Sequence, residues 1–92
     1  MKIKQLKDKY INSNPDSILE RGILIEALID NAKDIYNILI KDETGFLEAT
    51  SEINLFNRIK SSASNNAILK LKGYLTKTEF ENLSFGIEEI LD

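Results

Sequence analysis

The chain contains no cysteine and no histidine. That joint absence excludes disulfides, zinc held by thiolate or imidazole, and any Cys or His nucleophile. No apolar run approaches the ~20 residues needed to span a membrane, and the opening Met-Lys-Ile-Lys-Gln-Leu lacks the apolar core of a secretory signal. A soluble cytoplasmic protein with no membrane partner is expected, or a nucleoid or nuclear one if the source is eukaryotic. Proline occurs once, at Pro15, and aromatic residues are scarce at 8%. No glycine-rich phosphate loop and no clustered metal ligands occur, so neither a cofactor nor a metal is expected.

Ninety-two residues suit a single domain, 1–92, and 42% hydrophobic residues can fill the core of a small barrel or sandwich. The net charge of −3 argues against indiscriminate binding to nucleic acid, but the charge is unevenly spread. Lys2, Lys4, Lys7 and Lys9 face only Asp8 at the N-terminus, whereas Glu79, Glu81, Glu88, Glu89 and Asp92 close the chain without a base. That leaves room for a local basic face.

The most informative stretch is Asp34–Thr50, DIYNILIKDETGFLEAT. Two apolar runs flank Asp42-Glu43-Thr44-Gly45, a polar turn closed by glycine, which predicts a β-hairpin. Strand side chains alternate between faces. Ile38, Ile40, Leu47 and Ala49 therefore fall on the inner side, and Asn37, Leu39, Lys41 and Phe46 on the outer. Before the hairpin, Ile3, Leu6 and Tyr10 repeat at helical spacing, so the first eleven residues are expected to form a short helix or single turns. Residues 12–17 are loop chemistry around Pro15. Ile18–Asp30 is rich in Ile and Leu, but Gly22 within it favours a long bent strand over a helix. Asn31–Lys33 is a short connection.

After the hairpin, Ser51 is placed to cap a helix whose Ile53, Phe56 and Ile59 share a face, ended by Ser61–Asn66. Ala67–Thr76 alternates as a strand with its own mid-strand glycine, Gly73. Lys77–Glu79 is a turn, and Phe80–Leu91 is the last strand. Tyr36, Phe56, Phe80 and Phe85 are expected in the core. The predicted class is all-β, with five strands and one helix between strands three and four.

Four segments carry a resemblance. Lys2-Ile3-Lys4-Gln5-Leu6-Lys7 resembles a basic lead-in, and Leu19-Glu20-Arg21-Gly22-Ile23-Leu24 a glycine-containing first strand. Ile38-Leu39-Ile40-Lys41-Asp42-Glu43-Thr44-Gly45 resembles a second strand with its Asp-x-Thr-Gly turn. Leu69–Leu75 with Leu83–Ile90 resembles the last two strands. Together they are similar, over nearly the whole chain, to the OB-fold nucleic-acid-binding domains related to class II tRNA-synthetase anticodon-binding domains, replication protein A and archaeal single-strand binders. The chain departs from that pattern in its short loops, its few aromatics, and Glu20 at a usually apolar position.

The resemblance implies a five-stranded Greek-key OB barrel, capped by residues 1–17 as an N-terminal lead-in, that binds single-stranded nucleic acid, DNA before RNA, on the outer face of strands two and three. Such binding needs flat π surfaces for bases and cations for phosphates. The candidate residues are Lys33, Asn37, Leu39, Lys41, Phe46, Lys72, Tyr74 and Lys77. Lys33 and Lys77 lie in the flanking loops, Phe46 is the stacking candidate, and Lys70, Lys72 and Tyr74 form a second stripe. For Phe46, packing across the hairpin or against another subunit competes with stacking. For the stripe, the competitor is an ordinary solvated strand face. The rival function is a protein-binding OB module, a small subunit of a replication or repair-type complex, or a homo-oligomer. Catalysis has little footing: Asp42 and Glu43 point apart at a strand end, and Asp42 and Thr44 are better explained by local hydrogen bonds to the backbone.

Overall fold

The computed structural model describes residues 1–80 and 82–91, with Ser17 described by its backbone alone. Glu81 and Asp92, two members of the acidic C-terminal stretch, lie outside the described residues. The elements are α1 (Ile3–Tyr10), β1 (Asp16–Asp34), β2 (Asn37–Asp42), β3 (Gly45–Ser51), α2 (Ile53–Asn65), β4 (Ile68–Lys77) and β5 (Leu83–Leu91). The five strands close into a ring in the order β1-β2-β3-β5-β4. Every neighbouring pair is antiparallel except β3 and β5, which run parallel from Glu48 opposite Ser84 to Ser51 opposite Ile87. A parallel pair cannot be joined by a tight turn, and here α2 and β4 supply the crossover.

β1 makes the closure possible. Nineteen residues at ~3.3 Å each would reach roughly 60 Å if straight, yet the molecule's longest extent is 35 Å. The strand must therefore coil, and Gly22 provides one bend with φ +68°, a conformation that side-chain-bearing residues rarely adopt. The register shifts on either side of Glu20, and again after Ile29 and Ala32. The earlier part of β1 thereby pairs with β4, the later part with β2, and Leu28 touches both, opposite Lys41 and Ile68.

Several boundaries differ from the sequence expectation for local physical reasons. β1 runs on through Asn31–Lys33 to Asp34, and only Ile35 and Tyr36 link it to β2. The Asp34 carboxylate makes that short link workable by accepting the Tyr36 N–H at 2.8 Å. α2 does not stop at Ser61 but continues to Asn65, where Asn66 takes the left-handed conformation at φ 51° and returns its N–H to the Ser62 carbonyl. Its N-cap is Glu52 instead of Ser51, which stays the last residue of β3 with its N–H donated to the Ile35 carbonyl.

The core is aliphatic around one aromatic, Phe85, and includes Ile3 and Leu6 of α1 and Ile59 of α2, all fully buried. Phe56 packs against it at the side. Tyr36 and Phe80 correct the expectation of core positions: they are 74% and 85% exposed. Each falls in a connection between strands, where no second layer exists to cover it. Among the described residues, no helix is long and apolar enough to cross a membrane.

Candidate nucleic-acid interface

The hairpin alternation is realised as expected. Ile38, Ile40, Leu47 and Ala49 are buried, while Leu39 and Phe46 look outward. Lys41 stands opposite Phe46, and Leu39 opposite Glu48. Phe46 is 48% exposed, with the Lys41 ammonium 6.0 Å from its ring centre. The Lys41 Nζ is also 3.1 Å from Asp30 Oδ1, so part of its charge is engaged within β1–β2.

Two open depressions meet on this face. One, about 480 Å³, lies between Phe46 and Leu83 and is walled by Lys7, Tyr10 and Ile11. The other, about 270 Å³, is bounded by Lys33, Tyr36 and Asn37. Leu39 and Glu48 line both, so the two form one groove running from the β1–β2 link to the β4–β5 connection. Tyr36 and Phe80 belong to those two connections. The groove thus has an aromatic in its floor, an exposed aromatic in each bounding connection, a lysine toward each end and a carboxylate at its centre.

The wall formed by α1 is held at three points. At its N-terminus, Asp42 Oδ2 accepts the Ile3 N–H at 2.8 Å and Thr44 Oγ1 accepts the Lys4 N–H at 3.0 Å. The hairpin turn thereby caps a helix nearly forty residues earlier, placing acceptors where the helix leaves N–H groups unpaired. Partial burial pushes the Asp42 carboxyl upward. The Thr44 hydroxyl and the N–H groups of Ile3, Thr44 and Gly45 together outweigh this and hold it below the usual aspartate range. Lys2 pairs with Glu43 beside this cap. Farther along, Glu20 accepts from Lys9 Nζ at 2.7 Å and from the Tyr10 hydroxyl, and Lys9 first, then Tyr10, lowers its pKa. Glu20 thereby ties the C-terminal half of α1 to β1.

The third anchor is Lys77. It is the last residue of β4, only 5% exposed, and its ammonium donates to the carbonyls of Tyr10, Ile11 and Ser13 at 3.2, 3.2 and 2.6 Å. A positive charge at a helix C-terminus satisfies its unpaired carbonyls. Lys77 therefore differs from the loop position expected of it, and its donors are turned to the protein interior.

Of the residues singled out in the sequence, Lys33, Asn37, Leu39, Phe46 and Lys77 line the groove, although the Lys77 ammonium is engaged by the α1 carbonyls, and Lys41 stands beside Phe46 outside it. Asn37 is partly committed, its Nδ2 bound to both Asp34 oxygens. Lys72 and Tyr74 lie on β4, separated from β3 by β5. The Tyr74 ring covers Gly86, where a Cβ would come within 2.1 Å of it. The sequence pattern does not single out Tyr36, Phe80 or Glu48 as site residues, and it marks Lys7 only as part of the basic N-terminal run. Tyr36 had a signal, since Asp34 two residues earlier marks a side-chain-capped turn. Phe80 had another, standing between two glutamates. Among the described residues, no group of His, Cys, Asp or Glu could hold a metal ion. No family model, curated protein or solved structure matches the chain.

Proposed function

We propose that the ring is an OB-fold and that its β2–β3 groove binds single-stranded nucleic acid, DNA in the first instance. The strand order, the parallel β3–β5 pair and the helix between β3 and β4 fit that Greek-key barrel. The observation that carries the ligand is the trio of exposed aromatics, with Phe46 in the floor and Tyr36 and Phe80 in the two bounding connections. Large exposed aromatics gain most when another flat surface covers them, and each stacked base contributes ~1–3 kcal/mol. Lys33 and Lys7 stand toward opposite ends of the groove, positioned for the phosphates between stacked bases.

Two phosphate contacts set a modest salt dependence. At about −0.7 per phosphate for a single strand, the slope of log K against log salt should be about −1.4. Fluorescence anisotropy with a labelled single-stranded oligonucleotide at several salt concentrations measures it. Absence of salt-sensitive binding at protein concentrations on the order of tens of micromolar would overturn the proposal. A protein-binding module is the second reading, favoured by the carboxylate of Glu48 at the centre of the groove and by the net charge of −3. It predicts no oligonucleotide binding at any salt.

A further inference from the structure

Glu48 is the feature that a simple phosphate-tracking groove leaves unexplained. It lies on the outer face of β3, with Leu39 opposite it on β2 and Ser84 on β5, and it lines both halves of the groove. Its side chain is exposed, and no ion pair among the described residues engages it. A carboxylate offers acceptors only. Beside a phosphate it repels, whereas beside a base it holds whatever edge presents N–H groups. Phe46, two residues earlier on the same face, is placed to stack a base whose neighbour's edge would reach Glu48.

The Watson–Crick edges of the bases differ in what they offer a carboxylate. Guanine presents two adjacent donors, N1–H and the 2-amino group, which match two carboxylate oxygens. Cytosine and adenine each present one amino group beside a ring-nitrogen acceptor. Thymine presents one imide N–H between two carbonyls that would face the carboxylate unfavourably. We infer that Glu48 is a specificity-determining residue that selects guanine at one position of the bound strand. This rests on the groove's being a single-strand site.

The test compares thymidylate oligonucleotides carrying a single central guanine, hypoxanthine or no substitution, titrated by anisotropy against the wild type and Glu48→Gln. A good bidentate contact separates right from wrong bases by roughly five- to a hundredfold, and an exposed one is expected near the low end, about tenfold. The guanine strand should bind wild type about tenfold more tightly than plain thymidylate. The hypoxanthine strand, which keeps N1–H but lacks the 2-amino group, should fall between. In Glu48→Gln the guanine advantage should shrink to about twofold or less, while plain thymidylate binds more tightly for want of the negative charge. Equal wild-type affinity for guanine and thymidylate strands overturns the selectivity and leaves the single-strand site standing, as does an undiminished guanine preference in Glu48→Gln. Failure of every strand to bind overturns both.

Discussion

Replacing Lys77 with methionine isolates the internal clamp on α1, because methionine keeps most of the apolar stem and removes only the ammonium. In the wild type that ammonium serves three carbonyls. Tyr10 would keep a partner, since its carbonyl also accepts the Ser13 N–H at 3.1 Å, so two carbonyls, of Ile11 and Ser13, lose their donor. A buried polar group left unpaired costs ~1–3 kcal/mol, but Ile11 is exposed and Ser13 half-buried, so water can reach both carbonyls and the pair costs roughly 2–3 kcal/mol, near the low end. Relief from burying an ammonium offsets part of this, which leaves about 1–2 kcal/mol. For a domain of this size each kcal/mol moves the melting midpoint by ~4–8 °C, so Lys77→Met should melt about 4–16 °C lower. Thermal unfolding followed by circular dichroism measures it, with Lys72→Met as the comparison on the exposed face of the same strand, expected to melt close to wild type. Equal midpoints for the two variants would refute the clamp and return Lys77 to the surface.

The α1 cap makes a pH prediction. Asp42 binds a proton more weakly folded than unfolded, so its contribution is present above the ordinary carboxylate pKa of about 4 and is lost as pH falls below it. Melting midpoints from neutral to acid pH should fall less steeply in Asp42→Asn than in wild type, and parallel curves would contradict the cap. At the β4–β5 contact, a Cβ on Gly73 would stand 1.9 Å from the Gly86 carbonyl oxygen, so Gly73→Ala should cost ~3 kcal/mol or more in urea unfolding. Gly86→Ala instead meets the Tyr74 ring, which can swing away, and adding Tyr74→Ala should restore about 1 kcal/mol; strictly additive effects would exclude that contact. Tyr36→Ala and Phe80→Ala should each weaken oligonucleotide binding several-fold, within the ~1–3 kcal/mol of one stacked base, with unchanged melting because both side chains are exposed.

What was legible in the sequence followed periodicity. The inward set of the hairpin, the bend at Gly22 and the helix between β3 and β4 all come from patterns that one element imposes on itself. What was not legible depends on contacts distant in sequence. Lys77 reads as a turn residue until the C-terminus of α1 arrives more than sixty residues away to occupy it. Glu20 reads as a misfit until Tyr10 and Lys9 are brought beside it. Tyr36 continues the alternation of Ile38 and Ile40, and Phe80 opens the apolar run of the last strand, so both read as core until the strands begin at Asn37 and Leu83 and leave them outside. The Asp42–Thr44 turn was read as locally bonded, and the Thr44 N–H does donate to Asp42 Oδ1 at 2.7 Å. Its second duty, capping α1, has no local signature.

The most direct test of the groove is the affinity of Phe46→Ala for a labelled single-stranded oligonucleotide, beside wild type at one low salt concentration. Phe46 is half exposed and its removal should leave the ring folded. Stacking at ~1–3 kcal/mol per base predicts a loss of roughly five- to a hundredfold with an unchanged melting curve. Wild-type binding that survives Phe46→Ala undiminished would contradict a groove that holds bases on its floor.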